Sequence, residues 1–353
     1  MDSGTDELGT TPTPGEPTGD AEPAARPARG GALRTARFVV GYLFGLGILY
    51  WLVRQGRLDL RLLLETRSAS ALAALFLTQL VSQAVLIVRW WLLATPFCPQ
   101  LDFRGVYGVY TKAYVAGLVL PGAMGLDGVR LVYAVQLQRR NKAAVAASMF
   151  MDRFLGIYVV ALLATASGLA VAGAHQKLQL ATGLAGVLSV ISTVVLIAGL
   201  LPRARVTEPP ITEGHGLALW WRRGVRALRR TLYAISLYRA HPGRLAAAFV
   251  LSVLATVSSG IGLYLAYVST SGEGALVESF LASMLLIFLT AVPLAPRSLG
   301  VAEGVGEVIF GQFGLTHGSA AIFLQRCAGI AMTFILFAAA QVWGRSTPAP
   351  EQQ

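Results

Sequence analysis

Seven ionisable side chains stand inside strongly apolar sequence: Arg89, Asp127, Arg130, Asp152, Arg153, Glu303 and Arg326. Four of them fall between Val119 and Tyr158, a stretch that also carries Pro121, Gly122 and Gly125. A charge at membrane depth costs about 2.5–3.5 kcal/mol on insertion scales and survives where it faces protein or a water-filled cavity. An arginine in such a place offers phosphate a planar two-donor fork. A carboxylate there balances an arginine or takes an ammonium group. The Pro and Gly residues are expected to break the helix, and broken backbone at that depth must be shielded from lipid. Helix N-termini at the break add partial positive charge and free N–H donors. Shielded charge beside broken helices is the composition of a transporter site. Two plainer readings compete. Arg139, Arg140 and Lys142 show that part of the stretch reaches water, so it can be a cytosolic loop followed by a helix with a wet first turn. Asp152-Arg153 can instead be a structural cluster that locks helices together, a role compatible with binding. In either case, loss of Arg153 is expected to strand Asp152.

The elements that must position these groups are membrane helices. The 353-residue chain is 55% hydrophobic and 13% charged, with mean hydropathy +0.60. A soluble domain is about 25% charged. The net charge of +11 does not point to nucleic acid. Basic residues collect in the cytoplasmic loops of membrane proteins, and no nucleic-acid-binding module is visible. Cys98 and Cys327 are far apart among apolar residues and define neither a disulfide framework nor a metal site. No cofactor motif is present.

Residues 1–34 read as a disordered Pro-rich tail, and 35–345 as one transmembrane domain followed by a short tail, 346–353. Arg26, Arg29, Arg34 and Arg37 precede the first apolar run, 38–53, and place the N-terminus in the cytoplasm. In the run 69–95, Gln79, Ser82, Gln83 and Arg89 form a polar stripe facing the bundle interior. Trp90 and Trp91 read as interfacial anchors. Residues 103–120 are weakly apolar, with Lys112 near the middle. If they crossed fully, the arginine-rich 202–244 loop would lie outside, against the positive-inside rule. The segment 103–138 therefore reads as a re-entrant hairpin turning at Pro121-Gly122. Residues 143–172 and 180–201 span. Within the basic loop, 220–238 is either an amphipathic helix on anionic headgroups or an ordinary solvated loop. Residues 245–268 span with the stripe Ser252, Thr256 and Ser259. The run 276–292 precedes a second charged Gly/Pro turn, and 320–343 closes the domain.

The second half echoes the first. Arg153 and Arg326 lie 173 positions apart, as do Gly156 and Gly329, and Ala147 and Ala320. Gly300 to Val305 resembles Gly125 to Val129, with Glu303 in the place of Asp127. The expected fold is therefore all-α: six full crossings, two re-entrant hairpins (103–138 and 276–315), and inverted repeats at about 69–172 and 245–343. Both termini are expected in the cytoplasm.

At these residues the chain resembles the transmembrane domain of lysylphosphatidylglycerol synthetases, a flippase-like family of bacterial inner-membrane proteins. Arg89 ends the second helix. Leu120-Pro121-Gly122 is followed by Gly125-Leu126-Asp127 and Arg130. Asp152-Arg153 forms the acidic-Arg pair, and Pro296 to Glu303 precedes Arg326. Leu126 stands where the family has glycine, and the second turn lacks paired glycines. The resemblance implies movement of an aminoacylated phospholipid or another phospho- or glycolipid across the bacterial inner membrane. It makes the seven charged residues the expected headgroup site, and Pro121, Gly122, Gly125 and Gly300 the turns that shape it. With ten residues after Trp343, the synthetase's soluble domain is expected to be absent. Membrane phospholipid or glycolipid is the expected partner. A separate lipid-modifying enzyme is a second candidate partner, the chain then acting without catalysis of its own. A lipid-linked transferase is the third reading.

Overall fold

The computed structural model describes residues 43, 46–56, 58, 68–99, 101–119, 122–137, 142–171, 178–201, 217–271, 275–290 and 300–345. The expectations for the 1–34 tail, for Pro121, for Pro296, for residues 38–42, 44 and 45 of the first apolar run and for the 346–353 tail lie outside these residues. Residues 46–54 are helical. They are followed by α1 (Ala69–Ala94), α2 (Phe103–Val119), α3 (Gly122–Leu137), α4 (Lys142–Val171) and α5 (Gln179–Leu200). Next come α6 (Leu217–Ser236), α7 (Pro242–Ser271), α8 (Leu276–Thr290), α9 (Val301–Gln312) and α10 (Gly318–Arg345). No strand occurs among the described residues.

Five helices, α1, α4, α5, α7 and α10, are long and apolar enough to cross a membrane. At 1.5 Å per residue the 26-residue α1 is about 39 Å long, against a hydrocarbon core of about 30 Å. Its start is fixed by Ser68, whose hydroxyl accepts from the Ala71 N–H at 3.2 Å. Helix α7 begins with Pro242 as its first residue, a position where the missing N–H has no intrahelical partner to lose. This is why it starts three residues before the apolar run does. Of the other five, the arginine-rich α6 has 20 residues and four are shorter. Helices α2, α3, α8 and α9 have 17, 16, 15 and 12 residues, so none exceeds about 26 Å.

The exterior is that of a membrane protein. Along α5, Leu180, Leu184, Val187, Ile191 and Val194 recur on one face and are all exposed, while Ala185, Ser189, Ser192 and Gly199 are buried. Large side chains outside and small ones inside invert the soluble pattern, because lipid solvates leucine and helices associate by close approach. Gly168 of α4 shows that approach: a Cβ there would overlap the Thr182 side chain of α5.

Helices α1 and α7 form the central pair and run antiparallel. Ser82 Oγ donates to the Ala255 carbonyl at 3.4 Å, Arg89 reaches Ser252, and Gly262 abuts Thr78. Helices α2 and α3 also pack antiparallel, with Gly117 against Leu126 and Gly105 near Leu137. The described helices cluster as one compact unit.

Two expectations change. Gly125 does not break the chain; α3 runs through it from Gly122, since a glycine in the first turn removes little helical packing. Trp90 is no interfacial anchor. It is fully buried, and the Arg130 guanidinium lies 4.4 Å from its ring centre. A tryptophan near a helix end serves equally as the ring of a cation–π contact inside the bundle. Residues 217–236 form a helix, α6, rather than a loop. Its last turn inserts Ile235 against Gly199 of α5.

Candidate functional site

Four helices carry one ionic network. Arg89 lies in the last two turns of α1, Asp127 and Arg130 in the middle turns of α3, Asp152 and Arg153 in α4, and Ser252 in α7. Arg89 Nε donates to Asp152 Oδ1 at 2.7 Å, and its Nη1 donates to Ser252 Oγ at 3.0 Å. Gly156, one turn beyond Asp152, makes room for this guanidinium: a Cβ there would lie 3.4 Å from Arg89 Nη1. Arg130 Nη1 and Nη2 both donate to Asp152 Oδ2 at 3.2 Å. The Arg130 guanidinium is sandwiched between Trp90 and Tyr110, the latter at 4.9 Å. Arg153 Nε donates to Asp127 Oδ2 at 2.6 Å. Asp127 Oδ1 lies 3.6 Å from Arg130 Nη1 without an aligned hydrogen bond.

Burial divides this network. Arg89, Arg130 and Asp152 are 6%, 2% and 2% exposed. The Arg153 side chain is 43% exposed. Three guanidinium groups meet two carboxylates, so the network carries one positive charge in excess. The groups that are deepest are also the best paired, as low dielectric demands. Asp152 faces two guanidinium groups, so the excess is shared by Arg89 and Arg130, while Arg153, paired with Asp127, is the exposed guanidinium of the network. Asp152 is held by Arg89 and Arg130, not by its neighbour Arg153. Adjacent residues on a helix point about 100° apart, so each member of the Asp152-Arg153 pair finds a partner on a different helix. Removing Arg153 therefore strands Asp127, not Asp152.

Glu303 and Arg326 form a separate pair. Glu303 stands in the first turn of α9, where its carboxylate faces the amides of Gly300 and of its own residue. Such a position favours negative charge. Gly300 adopts φ 74°, a left-handed conformation that lets the chain enter α9 with this carboxylate turned inward. Arg326 Nη1 approaches Glu303 Oε1 at 3.0 Å. The contact is electrostatic rather than an aligned hydrogen bond.

Beside Arg326 lies a cavity of about 330 Å³ between α1, α2, α7, α8, α9 and α10. The stripe residues Gln79, Ser82, Gln83 and Ser259 line it, together with Gln325 and Thr333. Tyr114 connects the two regions. It lines the cavity, stacks on Tyr110 with ring centres 4.8 Å apart, and lies within electrostatic reach of Arg89 and Arg153. Of these, Tyr110, Tyr114, Gln325 and Thr333 are not among the residues that the sequence singles out. The Tyr110/Tyr114 spacing, i and i+4 on one face, was the available clue.

A multi-pass α-helical membrane protein with paired charge buried in its bundle is the class this structure defines. The chain belongs to the family of the lysylphosphatidylglycerol synthase TM region, whose family model matches residues 38–339. No curated protein and no solved structure matches the chain.

Proposed function

We propose that this protein binds and translocates the headgroup of a phospholipid or glycolipid across the bacterial inner membrane. One observation carries the reading: an ionic network with a single excess positive charge, whose exposed guanidinium is Arg153. A phosphodiester is the complement of such a charge. It would take the Arg153 fork by charge-assisted hydrogen bonds in competition with Asp127. Arg89, Arg130 and Asp152 would hold the scaffold, and Glu303 and Arg326 would offer the second repeat's contact.

The alternating geometry belongs to the same proposal. Helices α2–α3 and α8–α9 are read as two re-entrant hairpins, in keeping with their short lengths. Ser82 and Ala255, hydrogen-bonded at a separation of 173, carry the same offset as Arg153 and Arg326. Equivalent residues of an inverted repeat meet at its two-fold axis. The arginine distribution supports a cytoplasmic position for both termini and for α6.

The test is reconstitution in vesicles with a fluorescent phospholipid, following movement between leaflets by quenching of the outer leaflet. Arg153→Lys keeps the charge and loses the fork, and should slow movement about tenfold or more. Arg229→Lys, on the exposed face of α6, should match the parent protein. Equal rates for Arg153→Lys and the parent would refute the assignment.

A further inference from the structure

The cavity beside Arg326 has a composition that the ionic network does not explain. Gln83 Nε2 donates to the Gly329 carbonyl at 3.2 Å, and Gln325 Nε2 donates to the Ser259 carbonyl at 2.7 Å. Each amide is thereby oriented, and each keeps a carbonyl acceptor and a second N–H. Thr333 Oγ1 donates to Gly329 O at 2.8 Å and retains its lone pairs. Gln79 completes the group, its Oε1 3.4 Å from where a Gly329 Cβ would stand. Among the described residues, the lining contains no carboxylate. Glu303 is fully buried behind Arg326 and already faces that guanidinium.

A hydroxyl both donates and accepts, and oriented amides answer both needs. An ammonium group only donates. It brings a charge that neutral acceptors cannot compensate in a low-dielectric site, and Arg326 repels it. At about 330 Å³ the cavity stands at the small end of ligand sites, room for one headgroup rather than a lipid. Tyr114 lines the cavity and lies within electrostatic reach of Arg153. A phosphate on Arg153 and a group in the cavity can thus belong to one headgroup, with Tyr114 between them.

We propose that this cavity takes the uncharged, hydroxyl-rich part of a lipid headgroup, a polyol or a single sugar, in preference to an ammonium-bearing one. The inference rests on the lipid-headgroup reading above and names its substrate class.

The experiment measures binding to the purified full chain by native mass spectrometry. The probes are phosphatidylglycerol, phosphatidic acid, phosphatidylethanolamine and lysylphosphatidylglycerol. Phosphatidylglycerol should bind about tenfold more tightly than each of the other three. Gln83→Leu and Gln325→Leu should erase its advantage over phosphatidic acid, which has the phosphate without the polyol. Gln79→Glu places a carboxylate in the lining and should turn the preference toward phosphatidylethanolamine, so the reasoning does not depend on the leucine variants folding. Glycerophosphoglycerol, the same headgroup without acyl chains, should fail to displace the lipid at tenfold excess; displacement would overturn a lipid in favour of a soluble polyol phosphate. If ammonium lipids bind best and Arg153→Lys weakens all four, the phosphate reading stands and the polyol preference is wrong. If no lipid binds saturably, both fail.

Discussion

Asp152 should be the residue whose neutralisation costs the fold most. It accepts three charge-assisted hydrogen bonds, at 2.7 Å from Arg89 and at 3.2 Å twice from Arg130. Asp152→Asn keeps the volume, so no cavity opens and the effect reports charge alone. It leaves two guanidinium groups, 6% and 2% exposed, facing an amide whose N–H₂ they cannot bond. Arg89 keeps Ser252, and Arg130 keeps its ring contacts and a 3.6 Å approach to Asp127. Breaking a buried pair by removing one partner costs about 3–5 kcal/mol. That corresponds to a melting shift on the order of 10 °C. Asp127→Asn is the control. Its partner Arg153 has a side chain 43% exposed, so solvent screens the loss to about 1 kcal/mol or less. Arg153→Leu should behave like Asp127→Asn, because Asp152 does not depend on it. The assay is thermal unfolding of the purified protein in one detergent, followed by tryptophan fluorescence. An Asp152→Asn protein melting within about 2 °C of the parent, or an Asp127→Asn protein falling equally far, would refute the division of the network by burial.

Other outcomes follow from single positions. Gly156→Leu should push Arg89 off Asp152 and lower the melting point as Asp152→Asn does, whereas Gly156→Ala, at a 3.4 Å contact, should be nearly silent; equal melting of the two would contradict the packing. Gly243→Cys, exposed at the start of α7, should resist an impermeant maleimide in intact cells lacking the native cysteines, and label after lysis; labelling in intact cells would reverse the proposed sidedness. Cys98 lies between α1 and α2, where burial raises its thiol from an ordinary 9.0 to about 11. At pH 8 only about 0.1% is thiolate, so iodoacetamide should spare it in folded Cys327→Ser protein and modify it after denaturation. Since the folded state holds this proton more tightly, its contribution is present below about pH 9 and is lost as pH rises toward 11.

Sequence by itself determined the class and most element positions. Apolar runs of twenty or more residues have one stable solution in a bilayer, so α1, α4, α5, α7 and α10 fall within about three residues of where hydropathy put them. It also singled out the seven charged residues, because each is expensive where it stands and so needs a reason. What it could not decide was pairing. Asp152-Arg153 reads as a couple along the chain, yet helical geometry sends the two side chains to different neighbours. Asp152 joins Arg89 and Arg130, and Arg153 joins Asp127. Trp90 reads as interfacial because its burial against Arg130 depends on a side chain of α3 reaching α1, a tertiary fact with no local signature. The separation of the ionic network from the amide-lined cavity likewise arises only when α1, α7 and α10 are packed together. One stripe on α1 then contributes Arg89 to the first and Gln79, Ser82 and Gln83 to the second. Periodicity places residues on a face. Which face it meets is fixed by the non-local packing of helices far apart in the chain.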